Sequence, residues 1–204
     1  MKQELKRLFV KEQTGSKQMI EIIKWAATNN YDAIVFSLGK KLKENNEFIK
    51  LAKKYELVIE AGGHDFPLFV PKRLFFFQRE IFRMEHGKRK VSPHFCPTNP
   101  ETTKLITESA HFLFSRMIPA VTQPRVFHLL PDHGQENTWC ACPACRAFSC
   151  AEQYIMAVNS AADILARLDP FAKLSYYNFD QETEEDEALR PKIIPRDNMF
   201  RLST

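Results

Sequence analysis

What most restricts this chain is an alternation of short apolar runs with stretches of helical spacing. Residues 31–38 (YDAIVFSL), 56–61 (ELVIEA), 126–130 (VFHLL) and 173–179 (KLSYYNF) read as buried strands, each followed by Gly, Pro or Asp. A shorter run at 8–10 precedes Met19, Ile20, Ile22, Ile23, Trp25 and Ala26, which recur at the period of a helix. Phe48, Ile49, Leu51 and Ala52 mark the inner face of a second helix. Asn99, Pro100 and Glu101 make a helix start, with Pro in the first turn, for a segment running to about Met117. That helix is expected to turn Leu105, Ile106, Ser109, Phe112 and Leu113 inward. Another helix is expected over 150–168, stopped by Asp169-Pro170. Strands alternating with helices imply parallel β/α units.

Weaker runs at 92–96 and 198–203 bring the strand candidates to seven. A closed (β/α)8 barrel of the TIM type has eight strands and typically about 250 residues. The expected fold is therefore α/β: one domain over 1–204, a lean or incomplete (β/α)8-type TIM barrel. Residues 66–90 interrupt the rhythm with Pro67, Pro71, the run Phe75-Phe76-Phe77 and the basic turn His86-Gly87-Lys88-Arg89. They read as a long insertion after the third strand, crossing the mouth of the sheet, with some helix over 72–82.

Composition excludes several function classes. A 44% hydrophobic and 26% charged chain is globular rather than disordered. The net charge of +4 is mild and no basic block stands out, so nucleic acid is not expected as a partner. No apolar run reaches the length of a membrane span, and the charged N-terminus lacks the apolar core of an export signal. As given, the chain reads as cytoplasmic. The acidic stretch 181–189 reads as solvated loop.

Polar groups follow successive strand candidates: His64 and Asp65, then Cys96 and Asn99, then Asp132 and His133, then Asn178 and Asp180. In a parallel barrel these exits share the face where active sites lie. Glycoside hydrolysis needs two carboxyl groups. Asp132 is the first candidate, with Asp65 or Asp180 as its partner. The competing reading is that each Asp caps a turn or helix. Glu60 sits within a strand, and alternation does not fix its face. Trp139 is either a platform for a sugar ring or a lid over the loop core. His64, Asn99, His133 and Tyr177 complete a donor-rich set for a saccharide, and Arg89 either meets an acidic sugar or belongs to a solvated turn.

Cys140, Cys142 and Cys145 form a C-x-C-x-x-C cluster. Thiolates so spaced can share a tetrahedral Zn²⁺ with a fourth ligand from elsewhere, and Cys96 is the candidate. A closed four-cysteine site would be structural. Zinc or free thiols are expected over disulfides, and no other cofactor is required. Cys150 reads as buried or spare, and a Cys nucleophile with His133 as base has little to support it.

Four motifs in order, GGHDF, HGKR, FCPTNPE and LLPDHGQENTWCACPAC, resemble the DUF4838 family. The similarity extends over roughly 31–204. It implies a glycoside-hydrolase-like TIM barrel related to the α-glucuronidases. Two functions are expected from all this. One is a glycoside hydrolase acting through strand-end carboxylates. The other is a non-catalytic carbohydrate-binding or scaffold domain in which the cysteine loop is a staple.

Overall fold

The computed structural model describes residues 5–11, 15–40, 42, 46–91, 94–131, 139–177 and 193–202. Six strands form one sheet: β1 (Arg7–Val10), β2 (Ala33–Phe36), β3 (Val58–Gly63), β6 (Val126–Leu129), β7 (Lys173–Tyr177) and β8 (Met199–Leu202). They lie in the order β1-β2-β3-β6-β7-β8, and every neighbouring pair is parallel. The four strong apolar runs are thus parallel neighbours, as the alternation requires. Among the described residues β1 and β8 are the sheet's two edges.

Helices α1 (Ser16–Thr28), α2 (Glu47–Lys54), α4 (Pro100–Met117) and α5 (Cys150–Leu168) connect the strands. Local chemistry starts three of them. Asn46 accepts from the Phe48 N–H, and Asn99 from the Glu101 N–H. Ser149 and Glu152 form a reciprocal capping box on α5. Each helix buries one stripe against one face of the sheet. Ile23 and Ala26 of α1, Ile49 and Ala52 of α2, Phe114 and Met117 of α4, and Tyr154 and Val158 of α5 share a core with Ile34, Phe36, Ile59, Phe127, Leu129 and Leu174. The Phe114 and Phe127 rings meet edge to face at 5.0 Å. Phe112, expected inward, is instead 63% exposed, with the Arg116 guanidinium over its ring.

Strand alternation turns Arg7, Phe9, Val35, Glu60, His128 and Ser175 to the opposite face. Gly62 is needed where β3 meets β6. Its φ is +121°, and a Cβ there would stand 2.0 Å from the His128 carbonyl oxygen. Any other residue would push the two strands apart.

The insertion after β3 is real, and the helix expected over 72–82 is of the 3-10 kind. It holds a single turn, α3 (Phe66–Phe69), two 3-10 turns at Lys72–Phe76 and Arg79–Ile81, and a hairpin of β4 (Met84–Glu85) and β5 (Lys88–Arg89). His86 and Gly87 make its two-residue turn, both with positive φ. Of the strand expected at 92–96, the described residues 94–96 do not join the sheet. Phe95 makes one antiparallel bridge to Phe82, while β3 pairs directly with β6 and leaves no place between them.

Candidate functional site

Two polar constellations stand out, one on the sheet's inner face and one beside it. The inner one is a chain of four side chains across the sheet. Arg7 Nε donates to Glu60 Oε2 at 2.7 Å, and Glu60 Oε2 lies 2.8 Å from His128 Nε2. His128 Nδ1 lies 2.6 Å from Ser175 Oγ. Glu60, His128 and Ser175 are buried. Burial pushes the Glu60 carboxyl up, but its bonds to His128 and Arg7 outweigh that and hold it below the usual range. Burial keeps His128 below its ordinary value despite the carboxylate beside it, so the ring is neutral at pH 7. The Phe9 ring closes over His128 edge-on at 5.2 Å. A Ser–His–carboxylate row resembles a nucleophile relay, but here Ser175 is fully buried.

At the strand exits, Asp65 Oδ1 accepts from Ser37 Oγ at 2.7 Å and Oδ2 from the Leu38 N–H at 2.8 Å. This carboxylate ties the β3 exit to the β2 exit. His64 is exposed and its Nδ1 bonds the Pro131 carbonyl, which joins the β3 and β6 exits. Tyr177 ends β7, half-buried, and its N–H donates to the Tyr154 hydroxyl at 2.9 Å. Asp132, His133 and Asp180 lie outside the described residues. An open cleft of about 410 Å³ flanks this region rather than its centre, lined by Gly39, Leu68, Glu108, Phe112 and Arg116 among others.

Three other expected sugar contacts have internal roles. Asn99 caps α4 and is not at a strand end. Trp139 is 4% exposed, stacked on His94 at 5.0 Å and packed edge-on against Phe95 and Tyr154, which makes it the lid of the loop core. Arg89 is half-buried. Its Nη1 donates to the Phe82 carbonyl at 2.7 Å and lies 3.6 Å from Cys140 Sγ.

Arg89 points to the second constellation. Cys96, Cys140, Cys142 and Cys145 are buried, and their sulfurs all lie within 4.8 Å of one another. Cys96 Sγ is 3.7 Å from Cys142 Sγ and 3.6 Å from Cys145 Sγ. A disulfide would need about 2.05 Å, so these are free thiols. A tetrahedral metal with sulfur at about 2.3 Å would set the sulfurs roughly 3.8 Å apart, and the observed spacing fits it. The group can hold a metal ion. A metal held by all four would be a closed site with no position for water. Hydrogen bonds from Cys140 and Cys145 hold the Cys96 thiol far below its ordinary value, and the Cys140 and Cys96 neighbours push Cys145 far above its own. Burial pulls Arg89 down, but bonding to Cys96 and the sulfur charges raise it above its ordinary value.

The ligand loop is held without help from the sulfurs. Gln153 of α5 is buried, and its Oε1 accepts from the Cys140 N–H at 3.0 Å. Its Nε2 donates to the carbonyls of Cys140, Cys145 and Phe148 at 3.2–3.3 Å. Sequence reasoning missed Gln153, Arg7, His128 and Ser175. Glu60 and His128 did carry a signal, as ionisable residues within apolar strands.

No known family profile and no curated protein matches the chain. Solved structures do, at the level of fold. A GH20 catalytic module of the pneumococcal exo-β-D-N-acetylglucosaminidase StrH is similar at a TM-score of 0.64 and 11% identity, over 97% of this chain and 58% of that one. This chain thus spans little more than half the length of that structure. The GH36 α-galactosidase AgaA of Geobacillus stearothermophilus, solved in complex with raffinose, is similar at 0.52 and 8%, over 86% and 28%. No helix among the described residues is long and apolar enough to cross a membrane.

Proposed function

We propose that this chain carries a glycoside-hydrolase-like fold of the (β/α)8 type, binds a saccharide at its strand exits and hydrolyses it through paired carboxylates. The four cysteines serve it as a structural zinc site. One observation carries the reading: the His64–Pro131 bond joins the exits of β3 and β6, so Asp132 follows in sequence directly from that junction. The carbohydrate-active enzymes of similar fold support it by analogy. The motif order favours placing the chain with the DUF4838 family. Asp132 is the proposed acid or base. Asp180 is a better second carboxylate than Asp65, both of whose oxygens bind Ser37 and Leu38. His64, His133 and Tyr177 contact the sugar.

A second reading, a non-catalytic carbohydrate-binding or scaffold domain, is favoured by the internal roles of Trp139, Arg89 and Asn99. A panel of aryl glycosides, uronides included, with calorimetric binding in parallel, separates the two. Under the enzyme reading Asp132→Asn lowers turnover about a hundredfold or more and leaves affinity largely intact. Binding without turnover by the unmodified chain supports the scaffold reading. Neither binding nor turnover overturns the saccharide proposal.

A further inference from the structure

Four thiolates around a divalent cation carry a net charge of −2, and here all four sulfurs are buried. Net charge taken out of water is costly unless donors or a counter-charge offset it. Two donors that meet one of these sulfurs come from the small hairpin. The Met84 N–H donates to Cys140 Sγ at 3.3 Å, and Arg89 Nη1 lies 3.6 Å from the same atom. The bond of that Nη1 to the Phe82 carbonyl fixes where the guanidinium sits. The Ala141 N–H donates back to the Met84 carbonyl at 2.8 Å, so the hairpin and the cysteine loop are zipped together. Thr98 Oγ1 lies 3.1 Å from Cys145 Sγ on the other side.

Resting on the zinc reading above, we infer that Arg89 is the charge-compensating outer residue of the metal centre, and that the β4–β5 hairpin is built to bring it and the Met84 N–H onto Cys140. Partners of this kind orient a metal's ligands and tune its affinity. Lys88, next to Arg89 on β5, is exposed and has no bond to a sulfur. It is a matched control of equal charge on the same hairpin.

The test titrates the full reduced chain, and its Arg89→Met, Arg89→Lys and Lys88→Met variants, with Zn²⁺ against a chromophoric chelator. Co²⁺ loading reports the tetrahedral thiolate spectrum. The expected result is one metal per chain and the same Co²⁺ spectrum type throughout. Arg89→Met should bind zinc about 10–100-fold more weakly. Arg89→Lys should recover part of the loss, and Lys88→Met should match the unmodified chain. Equal affinities for Arg89→Met and the unmodified chain overturn the inference while leaving the zinc site standing. Equal losses for Arg89→Met and Lys88→Met also overturn it, since any nearby charge would then serve. An unmodified chain that binds neither metal overturns the zinc reading itself, and this inference with it.

Discussion

On the inner face of the sheet, Glu60 is closed in by protein: Arg7 supplies a positive charge, His128 a ring nitrogen, and Ser175 ends the row. Beside the sheet, four cysteine sulfurs face one another with a single guanidinium at the rim. Both clusters are buried and polar, yet they are completed differently. The first is balanced by side chains that arrive with the fold. The second is a group that can hold a metal ion, and the zinc proposal has it balanced by a cation from solution. The lesson concerns what each contributes. A self-satisfied row adds stability under any condition that preserves its protonation, whereas under the zinc proposal the thiolate cluster adds stability to loops already tied by Gln153 only when a metal is bound.

The largest effect expected from mutation within the inner row is for Glu60→Leu. It strands Arg7 and removes the acceptor facing His128, and should cost about 3–5 kcal/mol in urea unfolding. Replacing Arg7, Glu60, His128 and Ser175 together by apolar residues should recover most of that loss, because a buried ion pair is often matched by apolar packing. Under the zinc proposal, no apolar substitution of the four cysteines should do the same for the cysteine cluster. If the fourfold variant is as unstable as Glu60→Leu, the row is not the self-contained unit described here.

A smaller effect is expected from acid. His128 is held below its ordinary value of 6.5, so below about that pH the unfolded chain takes up a proton that the folded chain refuses. Glu60 is held below 4.5, so its contribution is whole above that value and is lost as pH falls through its folded value. Both signs agree. Stability should fall as pH drops from about 6.5, by at most roughly 1.4 kcal/mol per pH unit for each group, with Glu60 joining below about 4.5. Denaturant melts of the unmodified chain and of His128→Phe check this. The variant should lose the upper part of the slope, and an unchanged slope would assign it elsewhere.

How legible each region was in the sequence follows from how local its causes are. Helix α4 was readable because Asn99, Pro100 and Glu101 act within one turn, and α5 from its apolar stripe and the Asp169-Pro170 stop, while its Ser149–Glu152 capping box went unread. The four parallel strands were readable from composition. The run at 92–96, of which the described residues 94–96 lie outside the sheet, had passable β composition, but whether a run joins a sheet depends on its partners. Here β3 had already taken β6, and Cys96 is drawn to the other sulfurs. The cysteine group was legible because spacing announces shared ligands. Arg89 and Trp139 were not, since a charge or an aromatic in a loop takes its role from what the loop packs against. Glu60 lies in a strand buried on both faces, and apolar neighbours on both sides hide which face a residue takes.

The contrast between the two clusters is tested most directly by native mass spectrometry of the full chain, purified under reducing conditions, with its melting temperature read before and after a strong chelator. The account predicts one zinc ion per chain, and a marked drop in melting temperature when the chelator removes it. A metal-free chain whose five cysteines all titrate as thiols, and whose melting is untouched by the chelator, would contradict it.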